Sequence, residues 1–194
     1  MTLLMAFFAI MFSFSKVDQE AFDKMRETIS KQFGGEFQLP FEDISKALDD
    51  IIKKDAMTDK IKVKRDGSGI SIVFTGTVFF EAGSVNLSEA SKPILTKVLD
   101  VLEARAKGYP LYVEGHTDDT PISSQMFPSN WELSGARASL VVRMLEERKF
   151  SKDWLHSQGF ADSRPVVPNR DNNGQSIAEN QAQNRRVVIR VLRK

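Results

Sequence analysis

Cysteine is absent from the 194-residue chain. Its absence excludes a disulfide scaffold, thiolate metal sites, a cysteine nucleophile and lipid attachment to an N-terminal cysteine. Excess charge of either sign is missing as well. Twenty-seven basic side chains nearly cancel 26 acidic ones, for a formal net charge of +1. A nucleic-acid binder working by bulk electrostatics is thereby excluded. Only two histidines occur, His116 and His156. A zinc site would need His116 with carboxylates, an uncommon set. No G-x-S-x-G, HExxH or glycine-rich phosphate loop is present, so neither a cofactor nor a catalytic centre is expected. No internal repeat or low-complexity tract occurs. The length suits one compact domain with additions, or two small domains at most.

The most uneven absence is charge over residues 1–15, MTLLMAFFAIMFSFS, before Lys16. As a helix this run spans roughly 22 Å, short of the roughly 30 Å hydrocarbon core. Three readings are open. A signal peptide would want a basic start and small residues at a cleavage site, and both are missing. A buried globular helix would be apolar on every face, which suits lipid better than a half-exposed surface. The third reading, which the pattern favours, is the outer part of a membrane helix whose first turns precede Met1.

Beyond Lys16, Val17, Ala21, Met25 and Ile29 form a narrow apolar stripe, with charges on the other side. An amphipathic helix is expected over 16–33, ended by Gly34-Gly35. A linker over 34–60 follows, with a second helix over 40–55. Phe41, Ile44, Leu48, Ile51 and Ile52 are its stripe; acids open it and Lys53-Lys54 close it. From 61 to 194 the signals become those of an α/β sandwich (α+β in its layering). Lys60–Arg65 alternates, Asp66-Gly67 marks a turn, and Gly69–Thr75 is strand-like. Ser88–Ala106 is expected as a helix, Leu111–Thr117 as a buried strand and Trp131–Lys149 as a helix. A short apolar stretch near Trp154–Phe160 precedes a long polar segment, 161–184. Arg186–Leu192 closes as a strand, giving a β-α-β-α-β domain large enough for its own core.

Within the Trp131–Lys149 helix, Leu133, Leu140, Val141 and Met144 define an apolar face, and Arg137 falls in its middle. A guanidinium aimed at a core costs several kcal/mol unless it is partnered. The nearest carboxylates close the preceding strand, in EGHTDD. Alternation puts Glu114, His116 and Asp118 on one side, and Asp118 and Asp119 enter the loop where α/β sheets hold ligands. Asp118 and Arg137 would then line one pocket with opposite charges, suited to a zwitterion. A structural ion pair with no ligand explains the same two residues, and both readings stay open. His116 is expected to hydrogen-bond to loop backbone; a general-base role would need a nucleophile or metal set that is missing.

Three segments in order, Gly115–Ile122 (GHTDDTPI), Asn130–Ala138 (NWELSGARA) and Asn184–Val187 (NRRV), resemble the OmpA-like peptidoglycan-binding domain. GHTDDTPI and the Asn-Trp-Glu-Leu-Ser run look like those of MotB-type flagellar stator proteins, sodium-type relatives included. The start, MTLLMAFF followed by FSFS, resembles the single membrane helix of that family. The resemblance implies an inner (cytoplasmic) membrane subunit, single-pass, with its C-terminal domain in the periplasm. It implies peptidoglycan, a MotA-type ion-channel partner subunit and a second copy of the chain as partners, and no nucleic acid. The family's ion-carrying aspartate would lie before Met1, so this chain alone is not expected to conduct ions. Residues 16–33 fall where the family carries a plug helix. At the site, Asp118 would accept from the ammonium group of a stem diaminopimelate and Arg137 would hold its carboxylate. Thr117, Asn130, Leu133 and Arg185 would shape the pocket. One departure stands out: the Thr120–Ser129 loop, with Pro121 and Pro128, is longer than in many general OmpA-like domains. The implied role is a stator subunit anchored to the cell wall and is not enzymatic. The alternative is an envelope tether with no motor role, and a hydrolase acting through His116 is the third class.

Overall fold

The computed structural model describes residues 40–55, 60–75, 79–81 and 83–193. The uncharged stretch over 1–15 and the amphipathic helix expected over 16–33 lie outside the described residues. Among the described residues, no helix is long and apolar enough to cross a membrane.

Residues 43–194 form one compact unit. It is entered through helix α1 (Pro40–Lys54), which buries Ile44, Leu48 and Ile52 as its apolar spacing requires. Strands β1 (Ile61–Asp66) and β2 (Gly69–Thr75) follow as an antiparallel hairpin. Its turn is set by the Asp66 carboxylate, which accepts from the backbone N–H groups of Ser68 at 2.8 Å and Gly69 at 3.2 Å. Next come α2 (Lys92–Arg105), β3 (Leu111–His116), α3 (Asn130–Glu147) and a short 3-10 turn at Lys152–Trp154. Strand β4 (Leu155–Gly159), α4 (Ala178–Asn184) and β5 (Arg186–Leu192) complete the order.

The five strands make one mixed sheet in the order β1-β2-β5-β3-β4. All neighbours are antiparallel except β3 and β4. Ile72, Ile189 and Val113 stand in one row across β2, β5 and β3 and are fully buried. Helix α2 adds Ile94, Leu95, Val98, Leu99 and Leu102 to the core. Helix α3 packs on β3 and β4. That close approach depends on two glycines. A Cβ on Gly115 would sit 2.0 Å from the Ser134 carbonyl oxygen, and one on Gly159 would sit 2.7 Å from the Gly135 nitrogen. Missing side chains on two adjacent strands thus let the α3 backbone lie against the sheet, which brings Leu133 and Arg137 to the β3 end.

The expected α+β architecture is present, with four local differences. The second helix starts at Lys92, four residues later than its apolar pattern suggested, because Pro93 fits only the first turn, where its missing N–H is not needed. Strand β4 forms in the stretch left unassigned; as a half-buried edge strand, LHSQG lacks alternation. Helix α4 forms inside the polar segment, and its sequence AENQAQN offers no apolar stripe. The buried face of α3 is Leu133, Ser134, Arg137, Ala138, Val141 and Leu145, so Leu140 and Met144 are only part-buried.

The opposite sheet face carries a polar cluster. Tyr112 stacks on His156 with ring centroids 4.2 Å apart. His116 stacks on Phe160 at 5.2 Å, and the Arg164 guanidinium covers Phe160 at 3.8 Å. The His116 ring faces the Glu114 carboxylate at 3.4 Å, and Glu114 also meets Arg190 Nε at 3.1 Å. His116 therefore bonds to a side chain and not to loop backbone as expected; buried on the strand, its ring points across the sheet. Burial pushes its pKa below the ordinary imidazole value; Glu114 opposes the shift, while Arg186 and Arg164 add to it. Burial pushes Glu114 upward, but the His116 hydrogen bond and Arg190 together hold its carboxyl below the ordinary value. A neutral ring donating Nε2–H to an ionised Glu114 satisfies both shifts.

Two predictions follow from this packing. Replacing Gly115 with Ala should lower unfolding stability by about 1–3 kcal/mol, the usual cost of overpacking, readable as a shifted urea midpoint. An unchanged midpoint would contradict the close approach. The second concerns pH. Folded His116 takes its proton at lower pH than the ordinary imidazole value of 6.5. Its contribution is fully present above that value and is lost as pH falls below it, since the unfolded chain then binds the proton more tightly. Urea titrations from pH 8 to 5 should show this loss, and His116→Gln should flatten it; equal slopes in both proteins would rule it out.

Candidate functional site

The end of β3 runs into a loop that begins Thr117-Asp118-Asp119-Thr120. Thr117 stays tied to the segment after β4, its N–H donating to the Ala161 carbonyl at 2.8 Å. Asp118 is 5% exposed, and its Oδ1 accepts from the Thr120 backbone N–H at 3.0 Å, which turns the loop back on itself. Asn130, the first residue of α3, fastens the same loop by donating to the Thr120 carbonyl at 2.9 Å and the Asp118 carbonyl at 3.4 Å. Ser129 caps α3, accepting from Trp131 N–H at 3.2 Å. Within the intervening stretch, Ser124 and Phe127 close a small turn and Phe127 is buried, so the long Thr120–Ser129 loop is anchored by its own side chain.

The other wall is a tight turn after β2. Phe80 bridges to Leu87, Glu81 N–H donates to the Asn86 carbonyl at 3.0 Å, and Gly83 takes φ +62° at the tip. This turn presents two backbone carbonyls to Arg137. The guanidinium donates from Nε to Ser84 O at 2.9 Å and from Nη2 to Glu81 O at 3.2 Å, and it lies 5.0 Å above the Phe80 ring centroid. The partner sought for this arginine is thus first of all backbone. Burial, reinforced by the Arg185 charge and opposed by Asp118, lowers the Arg137 pKa to about 10. The group stays protonated at neutral pH.

Asp118 makes its direct ion pair with Arg185, whose Nη1 meets Asp118 Oδ2. One carboxylate therefore faces two guanidiniums, bonded to one and electrostatically balancing the other. The recess between the two walls has a volume of about 410 Å³. All six residues singled out from sequence line it: Thr117, Asp118, Asn130, Leu133, Arg137 and Arg185. Leu133 and Ile122 give it an apolar side. Thr117 lines the recess, and its Oγ1 is buried without a hydrogen-bond partner among the described residues. Residues that bond one another and still leave a hydroxyl unsatisfied suit a small polar ligand with both an acidic and a basic group. Among the described residues, no group of three or more His, Asp or Glu side chains is placed to hold a metal ion.

Sequence reasoning missed the turn around Phe80, Glu81 and Gly83. Its only signal was Arg137 itself, which demanded acceptors that no sequence pattern located. It also missed the brace behind the pocket. The Asp119 carboxylate accepts from Gln181 Nε2 at 2.8 Å and from Arg170 Nε at 2.5 Å. Burial pushes Asp119 upward, but these two donors hold its carboxyl below the ordinary range.

Known proteins resemble this chain in sequence and in fold. Residues 79–180 match the model of the OmpA family, and residues 1–33 match the model described as membrane MotB of the proton-channel complex MotA/MotB. The uncharacterised protein YtxE of Bacillus subtilis is 29% identical over 97% of this chain and 83% of its own length. Motility protein B of the same organism is 25% identical over 80% of this chain, which spans 57% of that protein. Among solved structures, the cell wall anchor of the type VI secretion system (T6SS) from Pseudomonas aeruginosa is 28% identical and superposes with a TM-score of 0.65, over 76% of this chain and 97% of that one. A putative MotB-like protein from Desulfovibrio vulgaris has the same fold, with a TM-score of 0.65 at 24% identity over 81% of this chain and all of that one. The OmpA family model takes in every residue lining the recess except Arg185, and the chain belongs to the OmpA family, with MotB-type proteins among its relatives.

Proposed function

We propose that this chain anchors a flagellar stator to the cell wall by gripping the diaminopimelate of a peptidoglycan stem. Asp118 accepts hydrogen bonds from the ligand's ammonium group. Arg137 donates to its carboxylate, with Thr117 Oγ1 and Arg185 completing the contacts. Leu133 and Ile122 pack on the methylene chain. The single observation that carries this reading is the recess itself, with one buried carboxylate, two guanidiniums and an unsatisfied hydroxyl. In this reading the protein is a binding module and not an enzyme. Its N-terminal segment sits in the cytoplasmic membrane beside a MotA-type channel subunit, two copies pair, and the domain described here works in the periplasm. The match of residues 1–33 to a membrane MotB model supports that placement.

A second reading is an envelope tether that binds the wall and drives no motor. The similarity to a secretion-system wall anchor favours it. Both readings share the pocket and differ in the cell. Deletion of the gene abolishes swimming while leaving flagella assembled under the first reading, and leaves swimming intact under the second.

Arg137 also holds the Phe80–Ser84 wall, so its loss acts on shape as well as charge. Cosedimentation of the purified chain with peptidoglycan sacculi tests both roles. Asp118→Asn should weaken binding about tenfold or more, the scale of one charge-assisted hydrogen bond. Arg137→Ala should weaken it at least as much and also lower the unfolding midpoint. Full retention of sacculus binding by folded Asp118→Asn would remove the pocket from wall recognition.

A further inference from the structure

Asp119 belongs to the pocket loop but does not line the pocket. Its carboxylate points the other way, to two residues far along the chain, Arg170 and Gln181. Arg170 is itself fixed, donating from Nη1 to the Gly174 carbonyl at 3.1 Å and lying in a backbone bridge with Ser176. Gln181 is buried on α4, and its carbonyl accepts the Arg185 backbone N–H at 3.0 Å. Gln181 thus sits one turn before the residue whose guanidinium meets Asp118. Asn184, fully buried, ties the same helix to the Val166–Asn169 segment by accepting from Val166 N–H at 2.8 Å and donating to the Val167 carbonyl at 2.7 Å. Besides the Asp118–Arg185 pair and the Thr117 N–H bond to Ala161 at the start of the segment, the described links from the Thr117–Thr120 loop to α4 and the Arg170 region run through Asp119, with a longer contact from Gln181 to Thr120 Oγ1 at 3.5 Å.

We propose that Asp119 is a positioning residue for ligand binding: by bracing α4 through Gln181 and the preceding loop through Arg170, it sets where Arg185 meets Asp118. Arg185 has a long, rotatable side chain that is one-third exposed, so its reach to Asp118 depends on where its backbone is held. The Asp119 brace fixes that backbone a turn upstream. Loss of the brace lets α4 shift from the loop, and Arg185 then reaches Asp118 only part of the time. The carboxylate–guanidinium geometry that the ligand must match becomes a distribution instead of one arrangement. This role rests on the wall-binding reading for its ligand, but not for its geometry.

A double-mutant cycle on the full chain separates positioning from general stabilisation. The probe is a stem tripeptide ending in diaminopimelate, titrated by calorimetry. Asp119→Ala should weaken binding about tenfold, the scale of a lost charge-assisted bond. Asp119→Asn keeps an acceptor for Gln181 and should recover part of that loss. In an Arg185→Ala background, Asp119→Ala should cause no further loss. Wild-type affinity in Asp119→Ala, or losses that simply add, would overturn the proposal. Should the wild-type chain fail to bind the tripeptide, the wall-binding reading falls, and the Arg185 Nε–Hε nuclear magnetic resonance signal decides the positioning role alone. A move of that signal toward its unfolded position in Asp119→Ala supports the role; an unmoved signal overturns it.

Discussion

A guanidinium at 5% exposure in a protein interior must be met by acceptors, and the site is organised around meeting that need at Arg137. Two backbone carbonyls of the Phe80–Ser84 turn and the face of Phe80 do most of it. This choice has a consequence for function. Carbonyl oxygens satisfy part of the donor fork without neutralising the charge, so the positive field stays directed into the recess. A direct bidentate pair with Asp118 would have closed the site on itself. Asp118 instead bonds Arg185, and one buried carboxylate is left to balance two cations. An incoming ammonium group alone would add a third cation. A ligand that also carries a carboxylate offsets that added charge, and in the proposed reading each of its two ends meets a group of opposite sign.

The packing that delivers Arg137 is equally specific. Helix α3 lies on β3 and β4 at a distance that only glycine at 115 and 159 permits. The same helix supplies Asn130, Leu133 and Arg137 to one recess, at the residue spacing of one helical face. Strand β5 closes the other side, because its antiparallel pairing with β3 brings the start of β5 to the end of β3, and Arg185 with it. Asp118 and Arg185 are thus joined by sheet register, although 67 positions separate them in the chain.

Much of this was legible in the sequence where burial leaves a pattern. Ile44, Leu48 and Ile52 announced α1, and Gly69–Thr75 and Arg186–Leu192 announced central strands. Arg137 on an apolar face drew attention to the recess that it lines, since a buried charge is an anomaly that needs a cause. Its partners were not legible, because backbone carbonyls carry no residue identity. Strand β4 and helix α4 were hidden for the converse reason: Leu155–Gly159 is an edge and Ala178–Asn184 is polar, so neither shows a period. Asn184 is fully buried in a segment that reads as loop, and only its hydrogen bonds to Val166, Val167 and Asn169 explain why.

The central proposal is that the recess recognises a zwitterion by pairing its ammonium group with Asp118 and its carboxylate with the guanidinium of Arg137. Calorimetric titration with two forms of the diaminopimelate tripeptide tests it most directly, one with a free side-chain carboxylate and one with that carboxylate converted to a carboxamide. The account predicts saturable binding of the free form and binding at least about tenfold weaker for the carboxamide, the scale of one lost charge-assisted contact. Equal affinity for the two forms would contradict it.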